Sequence, residues 1–187
     1  MAIVTVVPET FTLVFYEADD IRSFTQQVAE DVGLPPDTAI RIEVNEATPL
    51  GQVTIASIDP IVLKVEGGAF EDPKRPRRLS ETYVKDVLIR SLFRVNDRRH
   101  GGFGEAPPDD KLTLAENIAW EIYAVGRAAR RGYLAQRPRR LYAFRNRHGF
   151  TDVADAAFDR LWMADALTWP AIQAICAETD SAKQDVA

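Results

Sequence analysis

Apolar positions in this chain follow two rhythms. In the front third they recur mostly at every second residue, with one helical stretch between, and beyond about residue 80 at every third or fourth. The first period belongs to half-buried strands and the second to amphipathic helices. Ile3–Val7 is a β-branched run. Thr10–Tyr16 alternates with Phe11, Leu13 and Phe15 on one side, which predicts a second strand after a turn or kink at Pro8-Glu9. A helix then carries Ile21, Phe24, Val28 and Val32, with Asp19-Asp20 offering N-cap chemistry. Gly33 ends it in a left-handed conformation, Leu34 can fold back, and Pro35-Pro36 forbids continuation.

Ile40, Ile42 and Val44 mark the next strand. Gln52–Ile58 and Ile61–Glu66 follow, broken at Asp59-Pro60. The order predicted is ββαβββ, a small and largely antiparallel sheet with one packed helix in an α+β fold. The segment from Gly67-Gly68 to Arg77-Arg78, rich in Gly, Pro and charge, reads as an exposed connector. We therefore expect an acidic strand-rich unit over residues 1–72 and a helical domain over 78–187.

The helical part has readable punctuation. Ser80 caps a helix whose entry is stapled by Leu79 on Val84, and whose stripe is Tyr83, Val87, Leu88, Leu92 and Val95. That helix is expected to end in the run from Asn96 to Gly104, with the loop running on to Pro107-Pro108. Thr113 and Glu116 form a capping box for a helix with Leu114, Ile118, Ile122 and Val125 inward. Pro138 suits the first turn of a short helix closed by Gly149. Thr151 caps another, with Val153, Ala157, Phe158, Leu161 and Trp162 facing the core. Thr168-Trp169-Pro170 opens the last, which carries Ile172, Ile175 and Cys176. This predicts a C-terminal bundle of four or five helices, with disorder only after about Glu178.

Composition adds bounds. A chain of 187 residues buries roughly 70% of its unfolded surface and needs no covalent staple. Cys176 is its one cysteine, so no intramolecular disulfide forms. The opening MAIVTVVPETF lacks the marks of a secretory signal, and no apolar run approaches the length of a membrane helix. The expected location is the cytoplasm. An excess of 18 Arg over 5 Lys points to a GC-rich, bacterial genome, which tempers any reading of arginine number alone.

Charge is strongly segregated. Residues 1–72 carry a net −10, residues 73–100 a net +6, and residues 122–151 hold eight arginines and no acid. Segregation of this kind marks an interaction surface, internal or external. Arg127, Arg130, Arg131, Arg137, Arg139, Arg140, Arg145 and Arg147 are interleaved with Tyr133, Tyr142, Phe144 and Phe150. Guanidinium forks match phosphates and aromatic faces stack on bases, so this composition resembles that of nucleic-acid binders. The opposing reading is that the block pairs with the acidic front or forms a solvated helix face.

A search for catalytic chemistry returns little. Two histidines, His100 and His148, and one cysteine lack metal-ligand spacing, so neither metal nor cofactor is expected. There is no nucleophile elbow, and Cys176 sits on an apolar stripe. The run Arg98-Arg99-His100-Gly101-Gly102-Phe103-Gly104 could cradle an anion with glycine amides and guanidinium groups, but it follows a helix instead of joining a strand to one.

Three functions remain on these residues. The first is a non-enzymatic binding or regulatory protein that presents Arg127, Arg130, Arg131, Arg139, Arg140, Arg145 and Arg147 to nucleic acid or an acidic protein, with Arg77 and Arg78 as a second contact. The second is a small phosphorylated-ligand site, enzymatic or not, at the seam of the halves around Arg98, Arg99, His100, Gly101 and Gly102. The third is self-assembly, acidic front against basic back.

Overall fold

The computed structural model describes residues 1–184. The chain is mixed α and β, and it divides into two compact units, Met1–Asn96 and a second beginning at Asp97.

The first unit is built on a four-stranded sheet. Strand β1 (Ile3–Val7) leads to helix α1 (Ala18–Val32), then to β2 (Ala39–Asn45), β3 (Val53–Ile58) and β4 (Ile61–Glu66). The spatial order is β1-β2-β4-β3. Strands β1, β2 and β4 run parallel, with Val6 opposite Ile42 and Ile42 opposite Leu63, and β3 is an antiparallel edge on β4. The inner face buries Val4, Val6, Ile40, Ile42, Val44, Leu63 and Val65, and α1 contributes Ile21, Val28 and Val32. As the sequence implies, Gly33 closes α1 with φ +83°, its amide reaching Glu30 O at 2.9 Å while Leu34 N reaches Ala29 O at 3.0 Å. Asp19 and Asp20 do not cap it; they lie inside the first turn, where carboxylates favour the positive end of the helix dipole, and the N-cap residue is Glu17.

The largely antiparallel sheet expected from the sequence is corrected to a mixed sheet with a parallel centre. The cause is Thr10–Tyr16, which is not a strand. Its amides are taken by a carboxylate: Thr12 N and Leu13 N donate to Glu46 Oε2 at 2.8 and 2.6 Å. Those bonds hold the Glu46 carboxyl below the usual carboxylate range, Leu13 N first among them. Leu13 and Phe15 are exposed, so their alternation does not mark a buried face. With that strand gone, α1 is the crossover between adjacent strands, and such a connection delivers them parallel.

Residues 67–79 form a 3₁₀ turn (Gly67–Phe70) and a small hairpin of β5 (Glu71–Asp72) and β6 (Arg75–Leu79). Gly68 is required by close approach, since a Cβ there would lie 2.0 Å from Pro49 O.

Helix α2 spans Glu81–His100 and so takes in Arg98, Arg99 and His100, which the sequence reading places in a loop. The second unit holds its last turn and α3 (Leu114–Arg130), α4 (Arg137–His148), α5 (Asp152–Met163) and α6 (Trp169–Gln184). Thr113 and Glu116 make the capping box in both directions, and the Thr151 side chain caps α5 through Ala154 N. Leu114 departs from the expected stripe and is exposed, while Trp120 and Tyr123 turn inward. The core of the unit gathers Phe103, Trp120, Ile122, Phe144, Phe158 and Ile172. Helices α3 and α5 touch closely at Gly126, where a Cβ would meet Trp162 O at 2.1 Å. Helix α6 continues to Gln184, so the disorder expected after about Glu178 does not hold over 178–184; residues 185–187 lie outside the described residues. Among the described residues no helix is long and apolar enough to cross a membrane.

Candidate functional site

Helix α4 is amphipathic in an unusual way, because its solvent side is aromatic as well as basic. Phe144 and His148 anchor it inward, one turn apart and stacked at 3.9 Å between ring centroids. Arg139, Tyr142, Asn146 and Arg147 are exposed. At the end of the helix Gly149 takes φ +96° and its amide donates to Arg145 O at 2.8 Å. That reversal returns Phe150 along the helix to Tyr142, with ring centroids 6.0 Å apart and the planes at 70°. Tyr142 is 61% exposed and Phe150 64%. Edge-to-face pairs of this kind are worth roughly 0.5–1.5 kcal/mol beyond area burial, enough to hold two wet rings together.

The arginine block does not converge on one open face. Arg127 is buried, with Nη1 and Nη2 each 2.7 Å from the Asp97 carboxylate and its guanidinium 3.7 Å above the Tyr123 ring. Arg130 meets Asp165 at 2.8 Å and Ala164 O at 2.6 Å. Arg137 meets Asp159 at 2.5 Å and covers the Phe158 ring. Arg140 reaches Glu121 at 2.5 Å, and Arg145 grips Asp155 with two bonds of 2.7 and 2.5 Å. The Asp155 carboxyl is held below its ordinary range by that Arg145 fork, and Arg145 is raised in turn. Arg131 donates to Arg127 O at 3.3 Å.

All these carboxylates belong to the second unit itself. Among the described residues Arg139 and Arg147 pair with no carboxylate; Arg139 donates only to Gln136 Oε1 at 3.3 Å. Of the interleaved aromatics, Tyr142 and Phe150 face solvent, while Phe144 is core. Arg77 and Arg78 lie in the first unit on β6, exposed, with Arg78 5.4 Å above the Phe15 ring.

The glycine-rich run has a different use. Arg98, Arg99 and His100 are the last turn of α2 and not loop residues. Arg98 is nearly buried, bonded to Pro107 O at 2.9 Å and Asp109 at 2.7 Å, and it lies 4.4 Å from the Trp120 ring centroid. Gly101 N and Phe103 N both donate to Asp97 O, at 2.8 and 3.3 Å, so two of the amides that could have cradled an anion close the helix instead. Gly102 O accepts from Trp169 N at 3.1 Å, and Phe103 plugs the core against Trp120 at 4.6 Å.

Candidate nucleophiles and bases are enclosed. Burial pushes the Cys176 thiol up to about 12, which leaves almost no thiolate near neutral pH. His148 is fully buried between Ala115 O, 3.1 Å from Nε2, and Thr179 Oγ1, 2.8 Å from Nδ1. Burial first, and Lys183 after it, holds its pKa below the usual value. Among the described residues no three His, Cys, Asp or Glu side chains gather as a metal-ligand set.

One concavity escaped the sequence reading. In the first unit a shallow crevice of about 490 Å³ opens at the carboxyl ends of β1, β2 and β4, between Pro8, Glu43, Asn45, Lys64 and Glu66. Its polar lining is partly self-paired, with Asn45 Nδ2 donating to Glu66 Oε2 at 3.0 Å and Arg41 bonded to Glu43 at 2.7 Å. No periodicity announces it, because it depends on parallel strands ending side by side. The aromatic pair on α4 was legible only in part: Tyr142 and Phe150 stand out in the sequence, but their meeting needs the turn at Gly149. Comparison with family models, with curated proteins and with solved structures finds no match to this chain.

Proposed function

We propose that this protein is a non-enzymatic binding protein that presents the outer side of α4 to an anionic partner. The observation that carries the reading is the exposed Tyr142–Phe150 pair together with the exposed Arg139 and Arg147, the two arginines of α4 that pair with no carboxylate among the described residues. The rest of the arginine block serves the fold, since five of its members are held by carboxylates of their own unit. A cation already paired releases few counterions on meeting a phosphate. The relevant charge is therefore two, spaced along the axis by about 12 Å at 1.5 Å per residue.

The size of the salt effect separates this reading from the whole-block one. Each duplex phosphate neutralised contributes about −0.9 to the log–log salt slope, so two cations give about −1.8, whereas nine arginines would give about −8. Fluorescence anisotropy with labelled oligonucleotides and with polyglutamate, starting at about 50 mM salt, measures it. We expect weak binding that is lost in the Arg139→Gln/Arg147→Gln variant. A wild-type protein that binds no polyanion, or a double variant that binds equally well, would overturn the proposal.

A further inference from the structure

We infer that the partner taken by α4 is a single-stranded nucleic acid, held by base stacking on Tyr142 and Phe150 as well as by its phosphates; this rests on the anionic-partner reading above. Charge alone would not require the rings. Tyr142 and Phe150 are 61% and 64% exposed, and a backbone reversal brings the two rings into contact on the surface. Gly149 makes that reversal at φ +96°, a conformation that residues with a Cβ rarely adopt, and a Cβ there would fall 2.7 Å from the Lys183 Cγ and force that side chain to shift.

What the pair offers is a π-face with cations on its flank, Arg139 at one end of the helix and Arg147 near the other, with Asn146 exposed between them. Duplex bases are stacked on one another and cannot present their faces to a convex helix. Unpaired bases can, whatever their identity, because each has a flat π-surface. An acidic polypeptide matches the guanidinium groups but brings no such surface to the rings. The charge and the aromatic chemistry together therefore favour an unpaired strand, bound with little sequence preference.

The test compares four labelled probes by anisotropy at low salt: an oligothymidine of about 10–15 nucleotides, an abasic strand of the same length, a duplex, and polyglutamate. Stacking is worth roughly 1–3 kcal/mol per base, so the base-bearing strand should bind at least about 5-fold tighter than the abasic one. The Tyr142→Ala/Phe150→Ala variant should lose that advantage, so that base-bearing and abasic strands bind it alike. Losing the ring pair removes no more than about 1.5 kcal/mol, so the variant should still fold cooperatively, which its melting curve, measured alongside, checks. Equal binding of base-bearing and abasic strands, or tighter binding of polyglutamate or duplex, overturns the single-strand inference and leaves the anionic-partner reading standing. Failure of all four probes overturns both.

Discussion

Asp97 and Arg127, thirty residues apart, form a bidentate ion pair in which both guanidinium–carboxylate distances are 2.7 Å. Trp120 Nε1 adds a third bond to the Asp97 carboxylate at 2.8 Å, and the Asp97 carbonyl receives the amides of Gly101 and Phe103. The end of α2 is thus tied to α3 through one acidic residue. Burying two charges is costly, and the geometry offsets that cost only while both partners are present.

Removing either partner should therefore destabilise strongly. We expect Asp97→Ala and Arg127→Ala each to lose about 3–5 kcal/mol, with the double variant losing well under the sum. Urea unfolding of the three variants measures it. Additive losses would show that the two groups act independently.

Gly126 offers a test in which helix propensity and packing oppose each other. Alanine should gain up to about 1 kcal/mol from propensity at a helix interior position. Here its Cβ would sit 2.1 Å from Trp162 O, the carbonyl that also accepts from Arg130. Backbone cannot yield as a side chain can, and overpacking costs about 1–3 kcal/mol or more. Gly126→Ala should lower the melting temperature, and an unchanged or raised value would refute the close approach of α3 and α5.

His148 gives the protein a defined pH response. Its pKa is lowered in the folded state by burial, with the Lys183 charge adding to it and Ala115 O and Asp180 opposing. Nε2 faces a carbonyl and so carries the proton of the neutral ring. The unfolded chain binds that proton more readily, so the stabilisation is complete above the ordinary histidine value of about 6.5 and is lost as pH falls from there through the lowered folded value. Chemical denaturation of the wild type and His148→Gln between about pH 7.5 and pH 5 should show a shallower loss in the variant. Parallel curves would mean the ring is not buried neutral.

Local chemistry was legible. The stops and caps at Gly33, Thr113, Glu116 and Thr151 are decided by residues three to five positions away, so the residue types alone place them. The inward stripe of α5 follows for the same reason. Thr10–Tyr16 shows where this ends. Its alternation is strand-like, yet Glu46 lies 33 residues from Leu13 and takes the amides a strand would need. Sheet direction then changed with it, since one strand fewer turns a hairpin into a crossover.

The arginine block divides along the same line. From its residue types alone, this chain determines the stop at Gly33, the caps at Thr113 and Thr151, and that positive charge is concentrated over residues 122–151. Tertiary structure alone decided which of those charges remain available. Asp97, Glu121, Asp155, Asp159 and Asp165 reach their arginines only after the last turn of α2 and helices α3, α4 and α5 have packed. A helical period is set by bonds spanning four residues, whereas ion pairs are set by distance in space, and distance between residues ten to thirty-five apart exists only once the core has formed.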